Sequence, residues 1–262
     1  MAQEETWHKL KTATMEGLDK KAYQILTAAD SKFHIDMIQP LRCGTARTFI
    51  AGEGAVLIRV SDTWLWMLEK PEKAGIIAQA IVDNGKAGDG IYCHGLTGRD
   101  EIAKSVGGIW YEKPCYIGAL FSETPFEIDT DLEFRRLDHG FADFIHRHYT
   151  HAQNDMHALS YIHERLDDGM YGGFLDGKCI GFIGIHAEGA MGMLEILSPF
   201  RRRGYGRALE AYLSNILIAE GKIPYCHIIC DNSASIELQK SMGFWVSDRK
   251  VWWGSLTAEV FD

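Results

Sequence analysis

Glu195-Ile196-Leu197-Ser198-Pro199-Phe200-Arg201-Arg202-Arg203-Gly204-Tyr205-Gly206-Arg207-Ala208-Leu209 is the stretch from which the fold is read. An apolar strand, Met193 to Leu197, stops at a proline, and a turn rich in arginine and glycine comes next. The turn opens into a helical pattern, Ala208, Leu209, Tyr212, Leu213, Ile216 and Leu217, whose spacing of three and four marks one buried face. The first backbone N–H groups of a helix have no partner within it, and the aligned peptide dipoles favour negative charge there. Gly204 and Gly206 remove side chains, so backbone can approach a phosphate closely. Three consecutive arginines add charge and forked donors. Strand, basic glycine turn and helix start together predict an anion cradle.

The residues downstream of the cradle narrow the reading. A strand, Tyr225 to Cys230, leads into Asn232-Ser233-Ala234-Ser235, then a helix ending in Lys240-Ser241-Met242-Gly243-Phe244. With Arg201-x-x-Gly204-x-Gly206, this order resembles the second half of a domain of the GNAT superfamily of acyl-CoA-dependent N-acyltransferases. The resemblance covers residues 130–262 well. It implies that the strand amides of Ile196, Leu197 and Ser198 meet the acyl thioester and pantetheine arm. The loop and helix start (Arg201, Arg202, Arg203, Gly204, Tyr205, Gly206, Arg207 and Ala208) would hold the pyrophosphate. Asn232 and Ser235 would contact the cofactor arm, although Asn232 equally suits the N-cap of its helix. Asn-x-x-Ser running into a helix that ends in Gly-Phe, behind a degenerate first domain, is most similar to the glycine N-acyltransferase-like branch.

Composition bounds the alternatives. Hydrophobic residues make up 46% of the 262 residues, enough for a sizeable core in one large domain or two ordinary ones. A formal charge of −9 argues against a nucleic-acid or anionic-membrane binder, so the arginine cluster is a local positive site on an acidic chain. The polar N-terminus reads as no signal peptide, and no apolar run approaches the roughly 18 residues of a spanning helix. Six scattered cysteines read as reduced core thiols, which implies a cytoplasmic protein. His146, His148 and His151, or Cys226, His227 and Cys230, complete no metal-ligand set, and no metal is expected.

Upstream, residues 1 to about 30 look helical, with Leu10, Tyr23, Ile25 and Leu26 as anchors. His34-Ile35-Asp36-Met37-Ile38-Gln39-Pro40-Leu41-Arg42 carries no assignable motif. Strands are predicted at 46–51, 55–60 and 63–68, and a helix at 71–82 with Ile76, Ile77, Ala80 and Ile81 on its inner side. A strand (91–94), a short helix (100–106) and a strand (116–121) complete the first half. Sliding Gly85-Lys86 onto Gly221-Lys222 also puts Glu101 on Glu237, Lys104-Ser105-x-Gly107 on Lys240-Ser241-x-Gly243, and Gly118-Ala119-Leu120 on Gly254-Ser255-Leu256. That self-similarity reads as an internal duplication. The first copy reaches its helix through little more than Glu69-Lys70, so it lacks the phosphate loop. The fold class expected is α/β (α+β): two tandem GNAT-like mixed sheets flanked by helices, degenerate over 1–125 and catalytic over 130–262. In the second copy, strand 132–137, helices 139–150 and 156–168 and the Asp176-Gly177 hairpin precede the cradle strand. The tryptophans, Trp110 among them, interleave with apolar strand residues as core.

The resemblance implies acyl transfer, acetyl or another short acyl, from acyl-CoA to a primary amine of a small molecule or amino acid. Such chemistry needs a neutral amine, a polarised thioester carbonyl and a proton for the leaving thiolate. Glu195, beside the acyl-binding strand end, and His227, on the strand before Asn232, are the candidate bases. Gln239 stands where many members carry a thiol-protonating tyrosine, which glutamine cannot replace as an acid. That departure keeps open a non-catalytic acyl-CoA-binding or sensing module. Acetyl-CoA, a small amine acceptor, no nucleic acid and no membrane are the expected partners, and oligomerisation is open.

Overall fold

The computed structural model describes residues 15–150 and 158–257, the side chains of residues 110–113 excepted. Leu10, His151, the start of the helix expected from Met156, and the Trp110 side chain therefore lie outside the described residues.

In chain order the elements are α1 (Gly17–Asp30), α2 (Ile35–Cys43), β1 (Ala46–Gly52), β2 (Ala55–Val60), β3 (Thr63–Leu68), α3 (Ala74–Asn84), β4 (Gly90–His94), α4 (Arg99–Ser105) and β5 (Ile109–Ala119). Next come β6 (Glu133–Arg136), α5 (Ala142–His148), α6 (Ala158–Gly169), β7 (Tyr171–Leu175), β8 (Lys178–Ile185), β9 (Met191–Ile196), α7 (Tyr205–Ala219), β10 (Tyr225–Ile229), α8 (Ser233–Ser241) and β11 (Trp245–Leu256). The succession strand–helix–strand–helix–strand occurs twice, as β3-α3-β4-α4-β5 and as β9-α7-β10-α8-β11. The two runs differ at the first crossover. Residues 69–73, with a 3₁₀ turn at Pro71–Lys73, link β3 to α3, whereas residues 197–204 link β9 to α7. Two readings change locally. Ile76 is solvent-exposed, and the inner face of α3 is Ala74, Ile77, Ala78 and Ile81, with Ala80 packed at the edge of the same core. The unassigned stretch after Phe33 is α2, whose residues from Ile35 to Arg42 are all buried.

The chain forms two compact units, residues 1–119 with 227–262 and residues 120–226, so β10 starts in one and ends in the other. This differs from the expected split into 1–125 and 130–262. The reason is the last strand: β11 lies between β4 and β5 and pairs antiparallel with both, from Val251–His94 on one edge and Val251–Cys115 on the other. β11 therefore lies within the sheet of the N-terminal half. That unit's ladder runs β1-β2-β3-β4-β11-β5, with β3 and β4 parallel. The Cys230 amide donates to the Pro114 carbonyl on β5 (3.0 Å). Trp64 and Trp66 of β3 pack with Ile77, Ile81, Ile91, Ile102 and Val106, a core of side chains that each contribute on the order of 1.5–3 kcal/mol by burial.

In residues 120–226 the strands run β6-β7-β8-β9, all antiparallel, and β9 pairs in parallel with β10 at Met191–Cys226. Asp176 and Gly177, both at positive φ (49° and 75°), make the tight β7–β8 hairpin that the Asp-Gly pair predicts. Helix α7 packs on β7, β8 and β9, and α6 on β8. Ile145, Ile162, Leu166, Phe174 and Phe182 form the principal core there. Each unit is thus a mixed sheet flanked by helices. Among the described residues no helix is long and apolar enough to cross a membrane, and no disulfide joins the cysteines.

Candidate functional site

The cradle is assembled in residues 120–226. Strand β9 carries Met193 at φ +53°, a left-handed conformation rare for a side-chain-bearing residue, and its register with β8 slips between Phe182 and Gly184. The slip is a bulge, a device that bends a strand and breaks its ladder. Past Met191, among the described residues, β9 has no second ladder. The Leu197 amide donates to the Ile180 carbonyl (2.9 Å), so successive amides alternating in direction put the Ile196 N–H on the edge opposite β8. Of the three amides expected to meet a thioester, that of Ile196 points away from β8 and that of Leu197 is already used. Ser198 begins a 3₁₀ turn that reaches Phe200.

Beyond it the chain turns through Arg202 (φ +64°) and Gly204 (φ +85°), two left-handed residues that swing α7 into line. Gly204 is the N-cap of α7; no side chain caps the helix, and its first turn holds no acidic residue. A side chain at Gly204 would enter open space, and one at Gly206 would meet only Ile196 Cγ1 at 3.8 Å. Gly206 is helical, where glycine costs about 1 kcal/mol relative to alanine, and nothing in the chain itself demands it. An uncapped, acid-free helix start beside needless glycine fits a diphosphate, with main-chain donors and an axial dipole toward the charge. Arg202, Arg203 and Arg207 are exposed around it, while Tyr205 and Ala208 turn into the core with Leu132 and Ile180.

Arg201 is placed differently from its neighbours. Its Nε donates to the Ile196 carbonyl and its Nη2 to Glu195 Oε1, both at 2.8 Å. Thr150 Oγ1 donates to the other Glu195 oxygen at 2.8 Å. Arg201 thus ties the loop back to the end of β9, and Glu195 is left with both carboxylate oxygens accepting hydrogen bonds.

The second candidate base lies in the other unit. His227, on β10, directs Nε2 to Asp36 Oδ2 at 3.0 Å and stacks on the Tyr92 ring with centroids 4.1 Å apart. His94, at the end of β4, directs its own Nε2 to the same Asp36 oxygen at 3.0 Å, and its Nδ1 faces His34 Nδ1 at 3.0 Å. Burial alone would raise the Asp36 pKa, but His94 and His227 together hold its carboxyl well below the usual range. Burial, reinforced by His94, lowers His34 to about 3, so its imidazole is neutral. Asn232 caps α8, its Oδ1 accepting from the Ser235 amide at 3.1 Å, which realises the N-cap role and engages both predicted residues. Gln239 is buried on α8, whereas Lys240 beside it is exposed. No group of three or more His, Cys, Asp or Glu that could hold a metal occurs among the described residues.

Thr150, the Met193 bulge and the Asp36–His94–His34 cluster escape sequence reasoning. The Phe33–Arg42 stretch offered one signal, a His-x-Asp pair inside an otherwise apolar run, and its partners lie 58 and 191 residues away.

Residues 169–253, from the end of α6 into β11 and so across the whole cradle, match the family described as FR47-like protein. No curated protein matches the sequence. Among solved structures, a Drosophila protein aligns over 92% of this chain and 88% of its own, with a TM-score of 0.61 and 20% identity. A GCN5-related N-acetyltransferase-like protein from Streptococcus suis aligns over 91% and 100% (TM-score 0.54, 11% identity). A GCN5-related N-acetyltransferase from Kribbella flavida aligns over 89% and 95% (TM-score 0.51, 12% identity). At such identities the likeness is one of fold. The chain shares the fold of these structures, and the FR47-like similarity lies over residues 169–253.

Proposed function

We propose that the protein is an acyl-CoA-dependent N-acyltransferase of tandem architecture, most like the glycine N-acyltransferase branch. It would move an acetyl or other short acyl group to the primary amine of a small molecule or amino acid. The observation that carries this reading is the start of α7: uncapped, free of acidic residues, and holding at Gly206 a glycine that the chain's own packing does not require.

In this reading the α7 amides and the exposed arginines hold the diphosphate, and Arg201 keeps the loop against β9. The Ile196 amide, on the open edge of its strand, polarises the thioester carbonyl. The amine nitrogen attacks that carbon, loses a proton to a base, and the carbon–sulfur bond breaks with its electron pair on sulfur. Glu195 and His227 are the candidate bases: Glu195 would first have to shed Thr150 or Arg201, and His227 would have to leave Asp36, its Nδ1 being buried. Binding of acetyl-CoA, followed calorimetrically for the wild type and Gly206→Glu, tests the cradle. Micromolar binding lost in the variant, with unfolding unchanged, is the expected result; no binding by the wild type would sink the reading.

One observation favours a second reading. Gln239, buried where many family members have an acidic tyrosine, provides no proton for the thiolate, as suits a module that binds acyl-CoA without turnover. A screen of primary amines for release of CoA thiol from acetyl-CoA separates the two, since a sensor binds and releases none.

A further inference from the structure

Arg47, Arg59 and Trp64 are successive ladder partners on β1, β2 and β3, so their side chains stand in one row on one face of the N-terminal sheet. Like charges directly opposite each other destabilise an antiparallel pair, and an anion held between them removes that cost. Arg59 has a negative partner within the chain. Its Nη2 donates to Asp89 Oδ2 at 2.8 Å and its Nη1 to the Asn84 carbonyl at 2.9 Å. The same carboxylate oxygen also accepts from the Trp64 indole and the Lys86 amide, so it is engaged three times. Arg47 has no such partner. Among the described residues it makes no hydrogen bond and no ion pair, and its guanidinium lies over the Phe49 ring, 4.8 Å from the centroid.

A cavity of about 420 Å³ opens at this row, and Gly44, Thr45, Arg47, Phe49, Arg59 and Ser61 line it. That volume is within the range of small-molecule sites. No lining residue is acidic, in a chain where acids outnumber bases 36 to 27. Local backbone features shape the walls. The register of β1 against β2 slips between Thr48 and Ile50, so Phe49 is the extra residue of a bulge, a device that re-aims a side chain. Its ring meets Trp64 with centroids 4.8 Å apart. The chain enters β1 through Gly44 (φ +70°) and leaves β2 through Ser61 (φ +54°), both left-handed. Each guanidinium is backed by a ring, Arg47 by Phe49 and Arg59 by Trp64 at 4.8 Å, which covers a face and leaves the edge N–H groups of Arg47 for an anion. The Ser61 hydroxyl makes no hydrogen bond among the described residues.

We propose that this cavity binds a small organic anion, a carboxylate or a phosphate monoester. The anion's oxygens accept from the Arg47 guanidinium and the Ser61 hydroxyl, the fixed charge of Arg59 attracts it, and its carbon body rests on Phe49. No bond is made or broken there. The site belongs to the unit that has no phosphate loop, and it stands whether or not the protein transfers acyl groups.

Amide NMR of the full chain near neutral pH, titrated with phenyl phosphate and separately with benzoate, tests the proposal. Gly206→Glu is carried throughout, so that the α7 start does not compete for the same anions. Saturable shifts of the Thr45, Arg47 and Ser61 amides are expected, with Kd of about 1 mM or below for at least one probe. The tighter of the two identifies the head group. Arg47→Gln should weaken binding about 10- to 100-fold, the worth of a hydrogen bond to a charged group. Arg47 is an exposed side chain on an edge strand, so amides away from the cavity should keep their positions in that variant. Ser61→Gly suits the left-handed turn and should weaken binding several-fold without disturbing the fold. Equal affinity in Ser61→Gly overturns the part given to Ser61. Equal affinity in Arg47→Gln, or no saturable shift at these amides with either probe up to about 10 mM, overturns the site.

Discussion

His34 gives the buried cluster a measurable consequence for stability. Its folded pKa is about 3, lowered first by burial and then by His94 and Arg249 against the opposing pull of Asp36, while an unfolded imidazole titrates near 6.5. Between those values the unfolded chain binds the proton and the folded chain does not. Stability is therefore fully present above about pH 6.5 and is lost as pH falls toward 3. Working the linkage for one site, lowering pH from 7 to 5 costs about 2 kcal/mol. Holding the measurement at pH 5 and above keeps Asp36 out of the window, since its depressed pKa removes stability only below the ordinary carboxylate range. Urea unfolding at pH 7, 6 and 5, followed by tryptophan fluorescence, is the assay, because Trp64 and Trp66 are buried in the same unit. His34→Gln removes the titrating group and keeps an acceptor for His94, so the difference between wild type and variant isolates this histidine from the others. The gap should change by about 2 kcal/mol across the range. Parallel pH profiles would refute a neutral, buried His34.

Other consequences are local. Gly206→Ala should raise unfolding stability by up to about 1 kcal/mol through helix propensity, with the new methyl in ordinary contact with Ile196, yet weaken acetyl-CoA binding in calorimetry. Equal affinity would mean that no ligand approaches that backbone. Asn232→Ala should cost about 1 kcal/mol in denaturant unfolding through loss of the cap to Ser235, and Asn232→Ser should recover most of it. Asp89 Oδ2 accepts from Arg59, from the Trp64 indole and from the Lys86 amide. Asp89→Ala should therefore cost about 3–5 kcal/mol, as removing one partner strands the others; a loss under about 1 kcal/mol would show that the buried carboxylate gives the N-terminal sheet little.

The parts legible in the sequence are those whose determinants are local. Glycines at the α7 turn, proline after β9, the Asp176-Gly177 hairpin and the three-four spacing of α7 each act within a few residues, and each element lies where those signals put it. The self-similarity between halves is matched by two runs of elements in the same order, differing where the second carries its loop. The illegible parts depend on pairing over distance. The place of β11 between β4 and β5 comes from ladders more than about 125 residues apart in sequence, with no turn or spacing to announce them. The same holds for the site. The arginine-glycine loop announces itself, whereas Asp36 inside a buried nine-residue helix has meaning only once His94 and His227 reach it. Exchange of the last strand gives a physical reason for that arrangement. β11 sits in the sheet of the N-terminal half, and the strand bearing His227 ends in the unit that holds α2 and β4.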